Sequence, residues 1–332
     1  MPHVNPSIPW QESSGEFVSV VTPCFNEQAN LSELITRVRA VMESLGTKYE
    51  HIIIDNASTD RSRDILEAEA ETDPRLRVII NVRNFGHIRS PFHGIMQASG
   101  ACVILLACDL QDPPEVISEL YSRWRDGAKV AILVKEHTEE SGLKAVGRRL
   151  YYRTLNRISS SELIPDATGA GLYDRSIVEY LRSLDDPYPY LRGLVAESGF
   201  PVSRVGFSQP LRRGGRTSNN FASLYDMAML GFTTHSRTPL RIVSLVGFCF
   251  AGLSLVIGFV YLVRKLLDWD AFELGLAPLA VGLFFLGAMQ LIALGILGEY
   301  IGNIFLRVRR LPLVIEAERI NFDRDTQEDS PS

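Results

Sequence analysis

The chain has 332 residues, 46% of them hydrophobic and 22% charged, enough for one large globular domain plus an appendage and too apolar for a disordered protein. A formal net charge of −5 and a pI near 5.8 exclude the basic excess of a general nucleic-acid binder. Cys24, Cys102, Cys108 and Cys249 lie in or beside apolar runs without CxxC spacing, so they read as buried thiols in a reducing compartment and suggest neither a zinc site nor a disulfide framework.

Residues 1–16 form an N-terminal extension without an apolar segment, and no cleavable secretion signal is visible there. Phe17 to Val21 is a short β-rich run ending at Thr22-Pro23, and Asn30 to Leu45 then has helical spacing at Leu31, Leu34, Ile35, Val38, Val41 and Met42. His51 to Ile54 is a second strand, ending in Asp55, and a charged helix follows around Arg61 to Ala70. Leu76 to Val82 is a third strand, Pro91 to Ala98 a helix, Cys102 to Ala107 a fourth strand, Glu115 to Arg125 a helix and Val130 to Val134 a fifth strand. Strands separated by helices imply an α/β fold with a mainly parallel sheet, whose ligands gather at the carboxyl ends of its strands. The polar residues at those ends are Asn26 and Glu27, Asp55, Arg83 and Asn84, and Asp109. No GxGxxG or GxxxxGK[ST] stands at the first turn, so neither a dinucleotide fingerprint nor a P-loop accounts for the crevice.

The run Asp109 to Glu115 (DLQDPPE) carries the most chemistry. Asp112, followed by Pro113 and three residues later by Glu115, has the form of a helix N-cap with a capping-box partner, and is expected to be mainly structural. Capping leaves Asp109 unexplained, and a carboxylate at a buried strand end suits a hard cation that bridges the protein to a diphosphate.

Ile242 to Val263 and Leu274 to Gly298 are 22 and 25 residues without a charge, and each is long enough for a membrane-spanning helix. Arg237 and Arg241 precede the first, and Arg307, Arg309 and Arg310 follow the second; the connection holds Arg264 and Lys265 against Asp268, Asp270 and Glu273, with Trp269 near its interface. The positive-inside rule then puts both ends, the soluble domain included, in the cytoplasm of a multi-pass inner-membrane protein. Residues 219–241 read as a juxtamembrane amphipathic segment, and 299–332 as a cytoplasmic tail ending in an acidic, disordered-looking stretch. The spans are rich in small residues, which permits close helix packing in an oligomer.

VSVVTPCFNE (Val18 to Glu27), IIDNASTD (Ile53 to Asp60), RNFG (Arg83 to Gly86) and DLQDPPE together resemble the family 2 glycosyltransferases of the GT-A fold. Within that family the chain is most similar to the polyprenyl-phosphate glycosyltransferases with a C-terminal membrane pair, such as bactoprenol glucosyltransferases and dolichol-phosphate mannose synthases. TGAGLYDR (Thr168 to Arg175), YPYLRG (Tyr188 to Gly193), RRGGRTSNN (Arg212 to Asn220) and LGEYIG (Leu297 to Gly302) extend the resemblance to about Ile315. It implies a cytoplasmic GT-A domain over 17–218, then two transmembrane helices. It also implies a metal-dependent enzyme that transfers a sugar, glucose first, from a UDP-sugar to undecaprenyl phosphate for cell-envelope glycan assembly or modification. Asp55 would accept from the base, with Pro23, Asn26 and Glu27 shaping the uridine pocket and Arg83 and Asn84 near base or diphosphate. Asp109 would hold Mg²⁺ or Mn²⁺, and Arg212, Arg213 and Arg216 would clamp the lipid phosphate. Expected partners are the nucleotide sugar, the polyprenyl phosphate, membrane lipids and further copies of the chain, a tetramer among the possibilities.

Three positions depart from the family pattern: Ala107 replaces an aspartate two residues before Asp109, Ser218 replaces a lysine, and the Thr168 to Gly171 segment lacks the carboxylate often found there, Asp166 being the nearest. His87 and His93 read as structural. The rival readings are a processive polysaccharide synthase and a catalytically silent, membrane-anchored nucleotide-sugar-binding protein.

Overall fold

The structure, a computed structural model, describes residues 17–135, 167–184, 186–187, 189–207, 238–267, 276–308 and 311–322. One unit is built on an eight-stranded sheet and the other contains two long helices.

The first five strands are β1 (Phe17–Cys24), β2 (Lys48–Asp55), β3 (Leu76–Asn81), β4 (Cys102–Leu105) and β5 (Val130–Lys135), with α1 (Leu31–Ser44), α2 (Ser62–Thr72), α3 (Gly86–Gln97) and α4 (Val116–Arg125) between them. Then follow β6 (Ala167–Asp174), α5 (Arg175–Ser183), α6 (Leu191–Ser198) and β7 (Val202–Phe207). The sheet order is β7-β5-β6-β4-β1-β2-β3, with β8 (Glu316–Ile320) at the far edge. β6 runs antiparallel between β4 and β5, β8 runs antiparallel beside β3, and the other pairs are parallel. β1 therefore has β2 on one side and β4 on the other, and the crossovers diverge there. That is the switch point at which an open α/β sheet leaves a crevice beyond its carboxyl ends.

Period-3.6 apolar stripes bury the helices on both faces. Leu31, Leu34 and Val38 of α1, Leu66 of α2 and Ile117 and Leu120 of α4 fill one side of the sheet. Phe92 and Ile95 of α3, Ile177 and Leu181 of α5 and Leu194 of α6 fill the other. β1 and β2 face both layers, which accounts for their nearly unbroken burial.

Two expectations need correction. α3 begins at Gly86, not Pro91, and Pro91 is buried inside it. The Asn84 side-chain oxygen accepts the Gly86 N–H at 2.7 Å, so the chain turns helical before the proline. The tail also contributes β8 to the eight-stranded sheet, although its sequence EAERI is too charged to read as a strand. Residues 323–332 lie outside the described residues, as do 219–237 of the expected juxtamembrane segment.

In the second unit α7 (Thr238–Leu267) contains the whole first apolar stretch, and α8 (Leu276–Val308) contains the second from Leu276 onward and runs ten residues past its expected end at Gly298. Phe250 and Phe285 bring the two helices together, their ring centroids 5.5 Å apart. Among the described residues one window, Phe285–Gly302, meets the length and apolarity needed to cross a membrane; a second crossing is not established on that criterion.

His51 is fully enclosed in β2, its Nε2 3.1 Å from Thr22 Oγ1, and burial lowers its pKa to about 3. The unfolded chain takes up this proton near pH 6.5 and the folded chain does not, so His51 subtracts stability as pH falls from about 6.5 towards 3, by up to roughly 1.4 kcal/mol per pH unit. Melting curves of the full chain in detergent over that range should show a shallower decline for His51→Gln than for the wild type. Gly94 is the point where α3 rests on the sheet; a Cβ there would lie 2.3 Å from Ile54 Cδ1 and 2.7 Å from Val21 Cγ1. Gly94→Ala should lower stability by about 1–3 kcal/mol in denaturant titrations.

Candidate active site

The β1–α1 and β2–α2 loops are clasped into one wall of the crevice. Asn26 has a left-handed backbone (φ 56°), and its side-chain oxygen accepts from Thr59 N at 2.7 Å. Asn26 N donates to Ser58 Oγ, and Glu27 N to Ser62 Oγ. Glu27 Oε2 in turn accepts from Asn30 Nδ2 at 2.6 Å. Asn26 and Glu27 thus shape the wall through contacts to the protein itself, while Pro23 sits within β1 beside Ile54 of β2.

Asp55 closes β2 next to Cys24 and is 1% exposed. Ser58 donates to it from both its backbone N–H and its hydroxyl. Burial outweighs those bonds and raises the Asp55 pKa. Two donors leave part of the carboxylate's acceptor capacity free for another N–H. Asp60, not Asp55, takes the first α2 donor, accepting Ser62 N at 2.9 Å.

The β3–α3 loop hangs on Asn56. Its oxygen accepts from Asn81 Nδ2 and Phe85 N, and its amide donates to Asn84 Oδ1 at 3.0 Å. Asn84 therefore spends its side-chain oxygen on Asn56 and Gly86. Arg83 is exposed, its guanidinium carbon 4.1 Å from the Phe85 ring centroid.

Asp109 is partly exposed just beyond β4, and its carboxylate accepts the Gln111 N–H at 3.2 Å. The capping box anticipated at Asp112 does not form. The carbonyls of Pro113, Pro114 and Glu115 accept from the first three N–H groups of α4, no side chain caps α4, and Glu115 forms a two-pronged bond to Arg37 of α1, at 3.0 and 2.6 Å. Asp112 is instead 4% exposed, with no hydrogen bond to its carboxyl among the described residues. Burial first, then the charge of Asp109, raises its pKa to about 6, against the pull of Lys135 and Arg192.

Arg192, in the first turn of α6, belongs to the YPYLRG run, where residue pattern alone assigns it no role. Its guanidinium lies over Gly169 of β6, where a Cβ would come within 3.0 Å of Nε and 3.1 Å of Nη2. Gly169 also has φ 90°, a conformation glycine tolerates and other residues resist. The charge of Arg192 reaches Asp112, His87 and Tyr173. His87 is held below the usual histidine range, by burial first and then by Arg192, so it is neutral at pH 7. The crevice thus brings Asp55, Asp109, Asp112 and Arg192 to one end of the sheet. Arg212, Arg213 and Arg216, with Asp166 and Ser218, lie outside the described residues.

Among the described residues no three His, Cys, Asp or Glu side chains cluster as a metal cage. The donors present suit a hard cation that takes one or two carboxylates and fills its shell with substrate oxygens and water: Asp109 is partly exposed and accepts one N–H, and Asp112 has no competing hydrogen bond among the described residues.

Residues 19–182 match the family described as glycosyl transferase family 2. Over 298 residues the chain is 31% identical to the uncharacterized glycosyltransferase YkcC of Bacillus subtilis, covering 90% of this chain and 92% of that protein. It is also 31% identical, over 299 residues, to the SfII prophage-derived bactoprenol glucosyl transferase of Shigella flexneri, covering 90% of this chain and 96% of that one. Among solved structures, glucosyl-3-phosphoglycerate synthase of Mycobacterium tuberculosis, in complex with Mn²⁺, UDP-glucose and phosphoglyceric acid, aligns with a TM-score of 0.51 at 20% identity, covering 66% of this chain and 78% of that chain. This last likeness is one of fold.

Removing a helix cap costs about 1 kcal/mol, whereas neutralising a buried carboxyl with a raised pKa relieves a penalty. The folded-state pKa of Asp112 lies above the unfolded value near 3.8, so at pH 7 its ionised form opposes folding. Asp112→Asn should therefore raise the melting temperature at pH 7, and the gain should shrink as pH falls below about 6. A lowered melting temperature would restore the cap reading.

Proposed function

The chain belongs to glycosyltransferase family 2, and from that premise we propose that it transfers a sugar, glucose first, from a UDP-sugar to a polyprenyl phosphate with inversion at the anomeric carbon. The observation that carries the reading is the strand order. β2 and β4 flank β1, so Asp55 and Asp109 stand on either side of one crevice at the switch point.

Asp55 would accept an N–H of the uracil ring with the capacity that Ser58 leaves, while Pro23 and the Asn26–Glu27 wall set the width of the base pocket. Arg83 would reach the donor from the opposite loop, with Asn84 holding that loop in place. Asp109 would hold Mg²⁺ or Mn²⁺, with Asp112 beside it. A divalent ion there, when bound, offsets the negative charge of the donor diphosphate. Arg192 supplies a fixed cation at the same corner, aimed at the charge that grows on the departing nucleotide. Arg212, Arg213 and Arg216 remain the proposed clamp for the lipid phosphate.

The nucleophile needs little activation. A phosphate monoester has a second pKa of about 6 and is largely a dianion at neutral pH. One of its oxygens forms the new bond to the anomeric carbon as the bond to the UDP oxygen breaks, and the electron pair leaves with UDP. No proton has to move, so the Thr168 to Gly171 segment, which lacks the carboxylate often found there in similar enzymes, is compatible with turnover. We place α7 and α8 across the inner membrane with the catalytic unit and both termini in the cytoplasm, and the lipid phosphosugar then serves cell-envelope glycan assembly or modification. The small-residue-rich spans suit a homo-oligomer.

Purified full-length protein incubated with radiolabelled UDP-sugars, Mn²⁺ and undecaprenyl phosphate should move label into the organic phase. Water-soluble polymer would favour a processive synthase, and no product from any donor would favour a silent binding protein. Asp109→Asn should stay in the membrane fraction and lose metal-dependent transfer; undiminished turnover would remove Asp109 from the metal. Arg192→Met should lower kcat/KM by about 100-fold, with Arg192→Lys in between, because lysine keeps the charge but not the planar fork.

A further inference from the structure

Arg89, His93 and Gln97 recur every four residues on α3 and form one stripe along it. The C-terminal segment 311–322 meets that stripe at three rungs in the same order. Arg89 Nη2 donates to the Pro312 carbonyl, His93 Nε2 bonds Glu316 Oε1, and Arg319 Nη2 donates to Gln97 Oε1 at 2.9 Å. Arg319 also bonds Glu316, which ties the second rung to the third. Glu316 is pushed up by burial but brought down to about 2 by the bonds from His93 and Arg319, so it stays ionised at physiological pH. On its other side the segment pairs with β3, with Val82 N bonded to Ile315 O at 3.0 Å. Beyond β8, Asn321 (φ 60°) fastens the end, its amide donating to the carbonyls of Ala70 and Leu76 at 2.7 and 2.9 Å.

The first rung leads into the crevice. The Arg89 guanidinium carbon is 5.2 Å from the Phe85 ring centroid, and Arg83 stacks on that same ring. Phe85 N is bonded to Asn56, the residue after Asp55. A continuous line of contacts therefore runs from the Pro312 carbonyl through Arg89 and Phe85 to Arg83 and the base pocket.

We propose that residues 311–322 act as a strap that sets α3 and its leading loop, with Arg89 as a positioning residue for the donor pocket. The strap begins three residues after the last residue of α8 and leaves its mark on Arg83 and Phe85, more than 220 positions back in the chain. The effect on donor binding rests on the reading of the crevice as a nucleotide-sugar site; the effect on the loop does not.

The test uses the full-length protein in nanodiscs and two readouts. In Arg89→Ala, amide hydrogen exchange across 82–90 should accelerate about tenfold, the scale set by losing a charged hydrogen bond in a local opening, with α1 and α2 unchanged. The donor KM should rise about fivefold with kcat within about twofold, since a positioning residue acts on binding. Arg89→Lys, which can still donate to the Pro312 carbonyl, should recover much of both. Wild-type exchange and wild-type KM in Arg89→Ala would overturn the proposal, and so would faster exchange spread over the whole catalytic unit, which is the mark of a general structural role. If the wild type transfers no sugar, the functional reading falls and the exchange data alone decide the strap.

Discussion

Negative charge concentrated at one end of a parallel sheet is the constraint around which this molecule is organised. Asp55 closes β2 and Asp109 and Asp112 follow β4, the two strands that flank β1, and burial raises the pKa of Asp55 and Asp112. Such carboxyls oppose folding, and they also repel a diphosphate. A site built this way needs cations to work, either a bound divalent ion or fixed guanidinium groups. In the proposed reaction Arg192 takes the second role, and its guanidinium lies over Gly169, where a side chain would displace it.

The sheet topology makes that concentration possible, and ordinary polar contacts make it rigid. Asp55 is steadied by Ser58, and the neighbouring loops are knitted together by Asn26, Asn56 and Asn84. α3 is pressed on the sheet at Gly94 and held from outside by the C-terminal strand. The rim of the crevice is thus positioned by a chain segment that returns after both long helices.

Much of this was legible from residue patterns because the underlying physics is local. Strands buried on both faces give apolar runs, helices give 3.6-residue stripes, and Asp55 and Asp109 stand where such runs end. Long-range competition was not legible. Pro91 suggested a helix start, but Asn84 accepts the Gly86 N–H and starts α3 one turn earlier. DPPE at Asp112 to Glu115 spelled a capping box, but Arg37, 78 positions back, claims the glutamate and leaves Asp112 buried in the crevice. β8 takes its place from pairing with β3 and from rungs to α3, not from β propensity in EAERI. Arg192 gave no signal apart from its place in YPYLRG, because its meaning comes from Gly169 beneath it and Asp112 nearby.

The measurement that bears most directly on the account is isothermal titration of the full-length protein with UDP, in Mn²⁺ and after its removal by chelation. A carboxylate-lined crevice that accepts a diphosphate through a hard cation predicts binding in Mn²⁺ and affinity weaker by about tenfold or more without it. Equal affinity in the two conditions would contradict it and shift the burden of charge neutralisation to the arginines alone.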